Sequence, residues 1–66
     1  MPIIQITLIE GKDGKDIENC MRNVAQTVHE SLNTPLENVK IMVNEIPANR
    51  FSSGKKLISE IRKTTI

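Results

Sequence analysis

The apolar residues between positions 14 and 32 recur at intervals of three and four, which is the spacing of one face of an α-helix. They are Ile17, Cys20, Met21, Val24, Ala25, Val28 and Leu32. Asp13 lies where an N-cap is expected, and Asn33 followed by Pro35 marks a helix end. The sequence therefore predicts one amphipathic helix over residues 14–32.

Alternating apolar segments flank this helix, at residues 3–8 and residues 39–46. In each of them every second side chain is apolar, as in a strand with one buried face. The positions concerned are Ile4, Ile6, Leu8, Val39, Ile41 and Val43. A strand, a long helix and a second strand predict a βαβ unit with parallel strands and a right-handed crossover. We expect the helix to cover this apolar face.

The remainder of the chain is less regular. Residues 47–50 predict a turn, and residues 51–54 begin a hairpin or a short extended arm. Residues 55–66 have helix-like apolar spacing, so they form either a short helix or an arm docked on a neighbouring molecule. Residues 1–66 thus constitute a single α+β domain: a βαβ unit with two parallel strands, one long helix and a short C-terminal hairpin or arm.

A domain of 66 residues is marginally stable alone. Its single cysteine, Cys20, cannot form an internal disulfide, and with one histidine it does not supply the four ligands of a structural zinc site. Two strands and one helix also leave a sheet face and two strand edges uncovered, and open edges promote association. We therefore predict a homo-oligomer without bound metal, with active sites at the subunit junctions.

Composition argues against several classes of partner. Nine basic and eight acidic residues give a net charge near zero, and Phe51 is the single aromatic residue. Neither feature suits nucleic acid, which is bound by basic surfaces and aromatic stacking. No apolar run approaches the roughly twenty residues needed to span a bilayer. A free cysteine and the lack of a signal-peptide pattern predict a cytoplasmic protein.

Pro2 is the strongest candidate for chemistry. Proline in second position permits removal of Met1, which would leave a secondary amine anchored at the start of a strand. A free α-amine has a reference pKa of about 7.7–8.0, and burial or nearby cations lower the pKa toward the range of a general base. The alternative is a proline that simply opens a strand. If Met1 is retained, the Pro2 nitrogen is an amide and has no basic lone pair.

Four further residues are candidates for substrate binding. Lys12 follows the first strand and Lys40 starts the second, so in a parallel pair they lie far apart within one subunit and meet only across an oligomer. Arg50 offers a bidentate fork for a carboxylate. Phe51 is either a hairpin anchor or the apolar wall of a pocket. Solvated surface lysines are the alternative for Lys12 and Lys40.

Two other reactive side chains have no functional signature. His29 lies on the predicted helix with no partner suggested by its spacing, so we expect it at the surface. Cys20 belongs to the apolar stripe and is typical of a small interior residue.

With these residues in view, the chain resembles the 4-oxalocrotonate tautomerase family, the small βαβ branch of the tautomerase superfamily. The resemblance covers almost the whole chain. It rests on the opening Met-Pro-Ile-Ile-Gln-Ile, the turn Glu10-Gly11, the helix length, the segment Ser31-Leu32-Asn33-Thr34-Pro35-Leu36, the strand from Val39 to Glu45, and Phe51.

The resemblance implies a function and an assembly. In that family the amino-terminal proline, here Pro2, shuttles a proton in keto–enol isomerisation of unsaturated 2-oxo acids. Family members assemble as hexamers, trimers of dimers, and need neither metal nor cofactor. Lys12 stands where the family has an arginine for the distal carboxylate. Lys40 stands where an arginine from a neighbouring subunit polarises the 2-oxo end, and Phe51 matches the aromatic wall.

Both family arginines are thus lysines here, which keeps the charge and loses the bidentate fork. Arg50 is a candidate to share their role. We predict a cofactor-free tautomerase acting on an enol or dienol of a 2-oxo acid. The alternatives are a non-catalytic interaction protein on the same scaffold, or a hydratase- or dehalogenase-type member of the superfamily.

Overall fold

The computed structural model of the protein describes residues 1–64. The predicted order of elements is confirmed, and the second strand begins one residue later than its pattern suggested. In chain order the elements are β1 (Ile3–Ile9), α1 (Gly14–Leu32), β2 (Lys40–Ile46), β3 (Ser52–Ser53), β4 (Lys56–Leu57) and α2 (Ile58–Thr64). Short 3-10 turns at Leu36–Asn38 and Ala48–Arg50 precede β2 and β3.

The two long strands pair in parallel, as the βαβ pattern predicts. Ile3 of β1 is the partner of Lys40, and Ile9 is the partner of Ile46. The ladder continues one residue further, because the Glu10 nitrogen donates to the Ile46 carbonyl oxygen at 2.9 Å. The amino ends of both strands therefore lie together at one end of the sheet, and their carboxyl ends lie together at the other.

Helix α1 begins and ends at the predicted caps. The Asp13 carboxylate accepts a hydrogen bond from the Lys15 nitrogen at 2.9 Å, which satisfies one of the unpaired amides of the first turn. Asn33 has φ 54° and ψ 49°, the left-handed conformation that ends many helices. The helix is therefore fixed at both ends by residues that can be identified in the sequence.

The helix-facing side of the β1–β2 sheet and its other side differ in exposure. The six predicted inward positions, Ile4, Ile6, Leu8, Val39, Ile41 and Val43, are all half-buried. Ile3 and Met42 point the other way and are 61% and 45% exposed. Among the side chains that the structure describes, no apolar residue is fully buried. A single copy thus leaves much apolar surface in water, which favours association.

Two residues of the predicted apolar stripe, Cys20 and Leu32, are exposed. Cys20 is exposed, so the expectation of an interior cysteine is wrong for the single chain. The helix contacts a sheet of two strands, and this is too narrow to cover the whole stripe.

The C-terminal segment contains both a hairpin and a helix. Strands β3 and β4 are antiparallel and turn at Gly54, whose φ of 65° suits glycine. Helix α2 follows directly, and its first nitrogen, that of Ile58, donates to the Phe51 carbonyl oxygen at 2.8 Å. Positions 65 and 66 of the predicted helix or arm lie outside the described residues. Neither α1 nor α2, as described, is long and apolar enough to cross a membrane.

Candidate active site

The amino end of the sheet brings together Pro2 and Lys40. Pro2 immediately precedes β1, and its carbonyl oxygen accepts a hydrogen bond from the Lys40 main-chain nitrogen at 3.0 Å. Pro2 is half-buried, whereas Met1 is 80% exposed. The β1–β2 ladder therefore holds Pro2 in place, and removal of Met1 would expose the Pro2 nitrogen at an ordered position.

The Lys40 side chain is held by the turn that precedes its own strand. Its ammonium group donates to the carbonyl oxygen of Glu37 at 3.0 Å. A lysine ammonium has three N–H donors, so this bond leaves two for a ligand. The positive charge of Lys40 thus lies near the start of β2, and its side chain is held there by one hydrogen bond.

The other three candidates follow the carboxyl ends of the strands. Lys12 comes after β1, and Arg50 and Phe51 come after β2. A seven-residue strand is roughly 20 Å long. The segments that carry these three residues therefore leave the sheet about 20 Å from its amino end, where Pro2 lies. The expectation that Lys12 and Lys40 do not meet within one subunit is confirmed by this register. One chain does not assemble the five candidates at a single place.

Lys12 lines an open groove where β1 passes into α1. The groove has a volume of about 270 Å³, and its other lining residues are Leu8, Asp16, Ile17 and Cys20. Its walls are mainly apolar, with one cation and one anion. This arrangement suits a ligand that has an apolar chain and a charged end.

Arg50 and Phe51 lie in the turn between β2 and the hairpin. The Arg50 guanidinium donates to the Asn49 carbonyl oxygen at 3.3 Å, and Phe51 is 45% exposed. The described carboxylates form no ion pair with Arg50, Lys12 or Lys40; the ion pair observed on α1 joins Arg22 and Glu18 at 3.7 Å. All three cations therefore keep their charge available for an anionic ligand.

Sequence reasoning missed a contact made by His29. The ring is half-buried, and its Nδ1 atom contacts the carbonyl oxygen of Thr34. The expectation of a surface histidine is therefore wrong, because the ring is partly buried and contacts the main chain. A contact with a main-chain carbonyl cannot be predicted from the type of the partner residue, because every residue has such a carbonyl. The sequence feature that pointed to this contact was the predicted end of the helix close to His29.

Comparison with known proteins gives the family. No family model matches the chain. A 2-hydroxymuconate tautomerase from Pseudomonas sp. (strain CF600) is 36% identical over 63 residues, which cover 96% of this chain and all of that protein. TomN, a solved 4-oxalocrotonate tautomerase homologue of the tomaymycin biosynthetic pathway, is 31% identical with a TM-score of 0.90, over 98% of this chain and all of TomN.

A third comparison supports the fold alone. A heterohexameric 4-oxalocrotonate tautomerase from Chloroflexus aurantiacus J-10-fl superposes with a TM-score of 0.86 at 22% identity, over 94% of this chain and all of that one. The sequence identity over full length, together with the shared βαβ architecture, leads to one conclusion. The chain belongs to the 4-oxalocrotonate tautomerase family of the tautomerase superfamily, and it is an isomerase of the tautomerase type.

Proposed function

We propose that the protein converts the enol or dienol form of an unsaturated 2-oxo acid into its keto form, with the Pro2 amine as general base after Met1 is removed. The observation that carries this proposal is the position of Pro2. It is half-buried and fixed by the hydrogen bond from the Lys40 main chain, at the same end of the sheet as a lysine side chain whose charge no described carboxylate neutralises.

The proposed proton transfers require one general base and one cation. The Pro2 nitrogen accepts the proton of the enol hydroxyl, and the protonated amine then delivers a proton to a carbon of the conjugated chain. The hydroxyl oxygen becomes the carbonyl oxygen, and the carbon–carbon double bond shifts or is lost. Negative charge builds on that oxygen between the two steps, where a fixed cation stabilises it. Lys40 is our candidate for this cation.

The substrate carries at least one carboxylate. We assign its distal end to Lys12, at the apolar groove, and we place Arg50 and Phe51 at the same site as an additional cation and an apolar wall. The relatives named 2-hydroxymuconate tautomerase support this choice of substrate class. Lysine acts on a carboxylate as a point charge, so we expect weaker orientation of the ligand than an arginine fork gives.

The separation of roughly 20 Å between the two ends of the sheet requires more than one copy of the chain at each site. We therefore propose a homo-oligomer, a hexamer arranged as a trimer of dimers, in which neighbouring subunits contribute Lys12, Lys40, Arg50 and Phe51 to the site of each Pro2. The apolar side chains that a single copy leaves exposed, Ile3 and Met42 among them, support association. The proposal includes no metal or organic cofactor, no nucleic acid or membrane partner, and a cytoplasmic location.

The direct test is ketonisation of phenylenolpyruvate by the chain that begins at Pro2, followed by ultraviolet absorbance. We expect catalysis, and we expect Pro2→Ala to lower kcat/KM by at least about tenfold, since the secondary amine is replaced by a primary one. Mass spectrometry of both proteins must show that Met1 is absent. Equal rates for the two proteins would overturn the role of Pro2.

A further inference from the structure

His29 joins the end of α1 to the segment that leads into β2. Its carbonyl oxygen accepts hydrogen bonds from the main-chain nitrogens of Asn33 and Thr34, the latter at 3.2 Å. Its ring contacts the Thr34 carbonyl oxygen through Nδ1. Thr34 is thus tied to His29 at both its nitrogen and its oxygen.

The same segment is bonded from Thr34 to the active-site end of the sheet. The Asn38 nitrogen donates to Pro35 at 3.0 Å, and the Val39 nitrogen donates to Leu36 at 3.1 Å. Lys40 then makes two bonds, from its ammonium to Glu37 and from its main-chain nitrogen to Pro2, each of 3.0 Å. The connection from Thr34 to Lys40 is therefore short and is held by main-chain hydrogen bonds at Asn38, Val39 and Lys40.

The His29 ring must donate this hydrogen bond, because a carbonyl oxygen only accepts. Nδ1 carries a hydrogen in one neutral tautomer and in the imidazolium cation, so both forms can make the bond. The contact thus fixes the ring and the turn together.

We propose that His29 is a positioning residue: its Nδ1–H to Thr34 bond fixes the α1–β2 connection and thereby the place of the Lys40 ammonium at the start of β2. The inference rests on the proposed function in one respect, since it takes Lys40 as a substrate-binding residue. The inference adds to the proposed function a residue at the end of α1 that acts through Lys40 and not by contact with substrate.

Hydrogen exchange at two amides tests the positioning without any assay of activity. The Lys40 amide bonds to Pro2 at one end of the ladder, and the Glu10 amide bonds to Ile46 at the other. In His29→Ala we expect exchange at Lys40 to become about tenfold faster, with Glu10 changed by less than about twofold. An equal acceleration at both amides means general destabilisation and overturns the proposal, as does no change at either.

Two conservative variants keep the test usable if His29→Ala fails to fold. Asparagine carries its amide nitrogen the same number of bonds from the main chain as Nδ1, whereas glutamine moves it one carbon further. We expect His29→Asn to keep slow exchange at Lys40 and His29→Gln to lose it. Gln26→Ala, which removes an exposed 2.7 Å bond to Glu30 on the same helix, is the matched control and should change neither amide.

Kinetics then ask whether His29 acts through Lys40. On phenylenolpyruvate, His29→Ala should lower kcat/KM about tenfold in the wild-type background and have no further effect when Lys40→Met is already present. Full additivity of the two changes would overturn the proposal. If Lys40→Met alone leaves kcat/KM unchanged, the proposed role of Lys40 in substrate binding is wrong. The hydrogen-exchange result still tests, without any activity assay, whether His29 positions the segment that carries Lys40.

Discussion

The main-chain nitrogen of Lys40 lies 3.0 Å from the carbonyl oxygen of Pro2, so these two residues share the first hydrogen bond of the parallel ladder. The bond orders the main chain of Pro2, and the Lys40 ammonium is held separately by its 3.0 Å bond to the Glu37 carbonyl oxygen. The base candidate Pro2 and the cation candidate Lys40 are therefore both ordered before any substrate binds. Preorganised charge of this kind is an effective source of catalysis.

Replacement of Lys40 tests the contribution of its charge. Lys40→Met keeps the length of the side chain and removes the ammonium, so we expect kcat/KM for phenylenolpyruvate to fall about a hundredfold. Lys40→Arg restores the charge and adds a planar fork, and it should retain at least the wild-type value. Steady-state kinetics of the three proteins decide the matter, and a Lys40→Met enzyme with wild-type kcat/KM would contradict the assignment.

Lys12 should matter only for substrates that have a second carboxylate. We expect Lys12→Met to raise KM for the dicarboxylic dienol 2-hydroxymuconate about tenfold, because the groove loses its cation. For phenylenolpyruvate, which has one carboxylate and a neutral distal ring, KM should stay within about twofold. The comparison uses the same two enzymes on both substrates. A parallel loss on both would show that Lys12 has a general structural role.

Subunit mixing tests whether Pro2 and Lys12 of one site come from different copies. Pro2→Ala and Lys12→Met chains are unfolded together at equal concentration, refolded, and assayed on 2-hydroxymuconate. Random assortment gives about a quarter of the sites both native residues if two copies contribute, so activity should rise above that of either parent. If both residues of a site belong to one chain, no mixed site is native and the activity stays at the parental average.

The left-handed conformation of Asn33 predicts a stability effect at the end of α1. Alanine tolerates φ 54° less well than asparagine, whose short polar side chain can hydrogen-bond locally, so Asn33→Ala should cost about 1–2 kcal/mol of unfolding free energy, whereas Asn33→Gly should cost little. Urea denaturation must be compared at one protein concentration, because oligomer stability depends on concentration. If alanine and glycine prove equally stable at this position, the helix end is not held as the structure shows.

The sequence predicts the βαβ core well because its signals are long and periodic. Helix α1 has an apolar stripe over five turns and recognisable caps at Asp13 and Asn33, and both caps are found. The separation of Lys12 from Lys40 also follows from parallel strands alone. Apolar residues that recur every 3.6 residues in a helix, or every 2 residues in a strand, mark the side of the element that becomes buried. Burial of those sides determines how β1, α1 and β2 pack, so the pattern predicts this part of the fold.

The C-terminal segment and the role of His29 lie beyond such reasoning. Strands of two residues and a helix of seven are too short to show a period, so Ser52–Ser53 and the helix from Ile58 could not be separated from an arm. His29 contacts a main-chain carbonyl, which any residue type supplies. Cys20 was misplaced because its apolar stripe is wider than two strands can cover.

The central claim is that the Pro2 nitrogen must be a free amine, and one comparison tests it most directly. Two proteins are assayed on phenylenolpyruvate: the chain that begins at Pro2, and a chain with one glutamate inserted between Met1 and Pro2, which keeps that nitrogen in an amide. Mass spectrometry verifies each N-terminus. We expect the first to be faster by at least about a hundredfold, the contribution of a positioned general base. Equal kcat/KM for the two proteins would contradict the account.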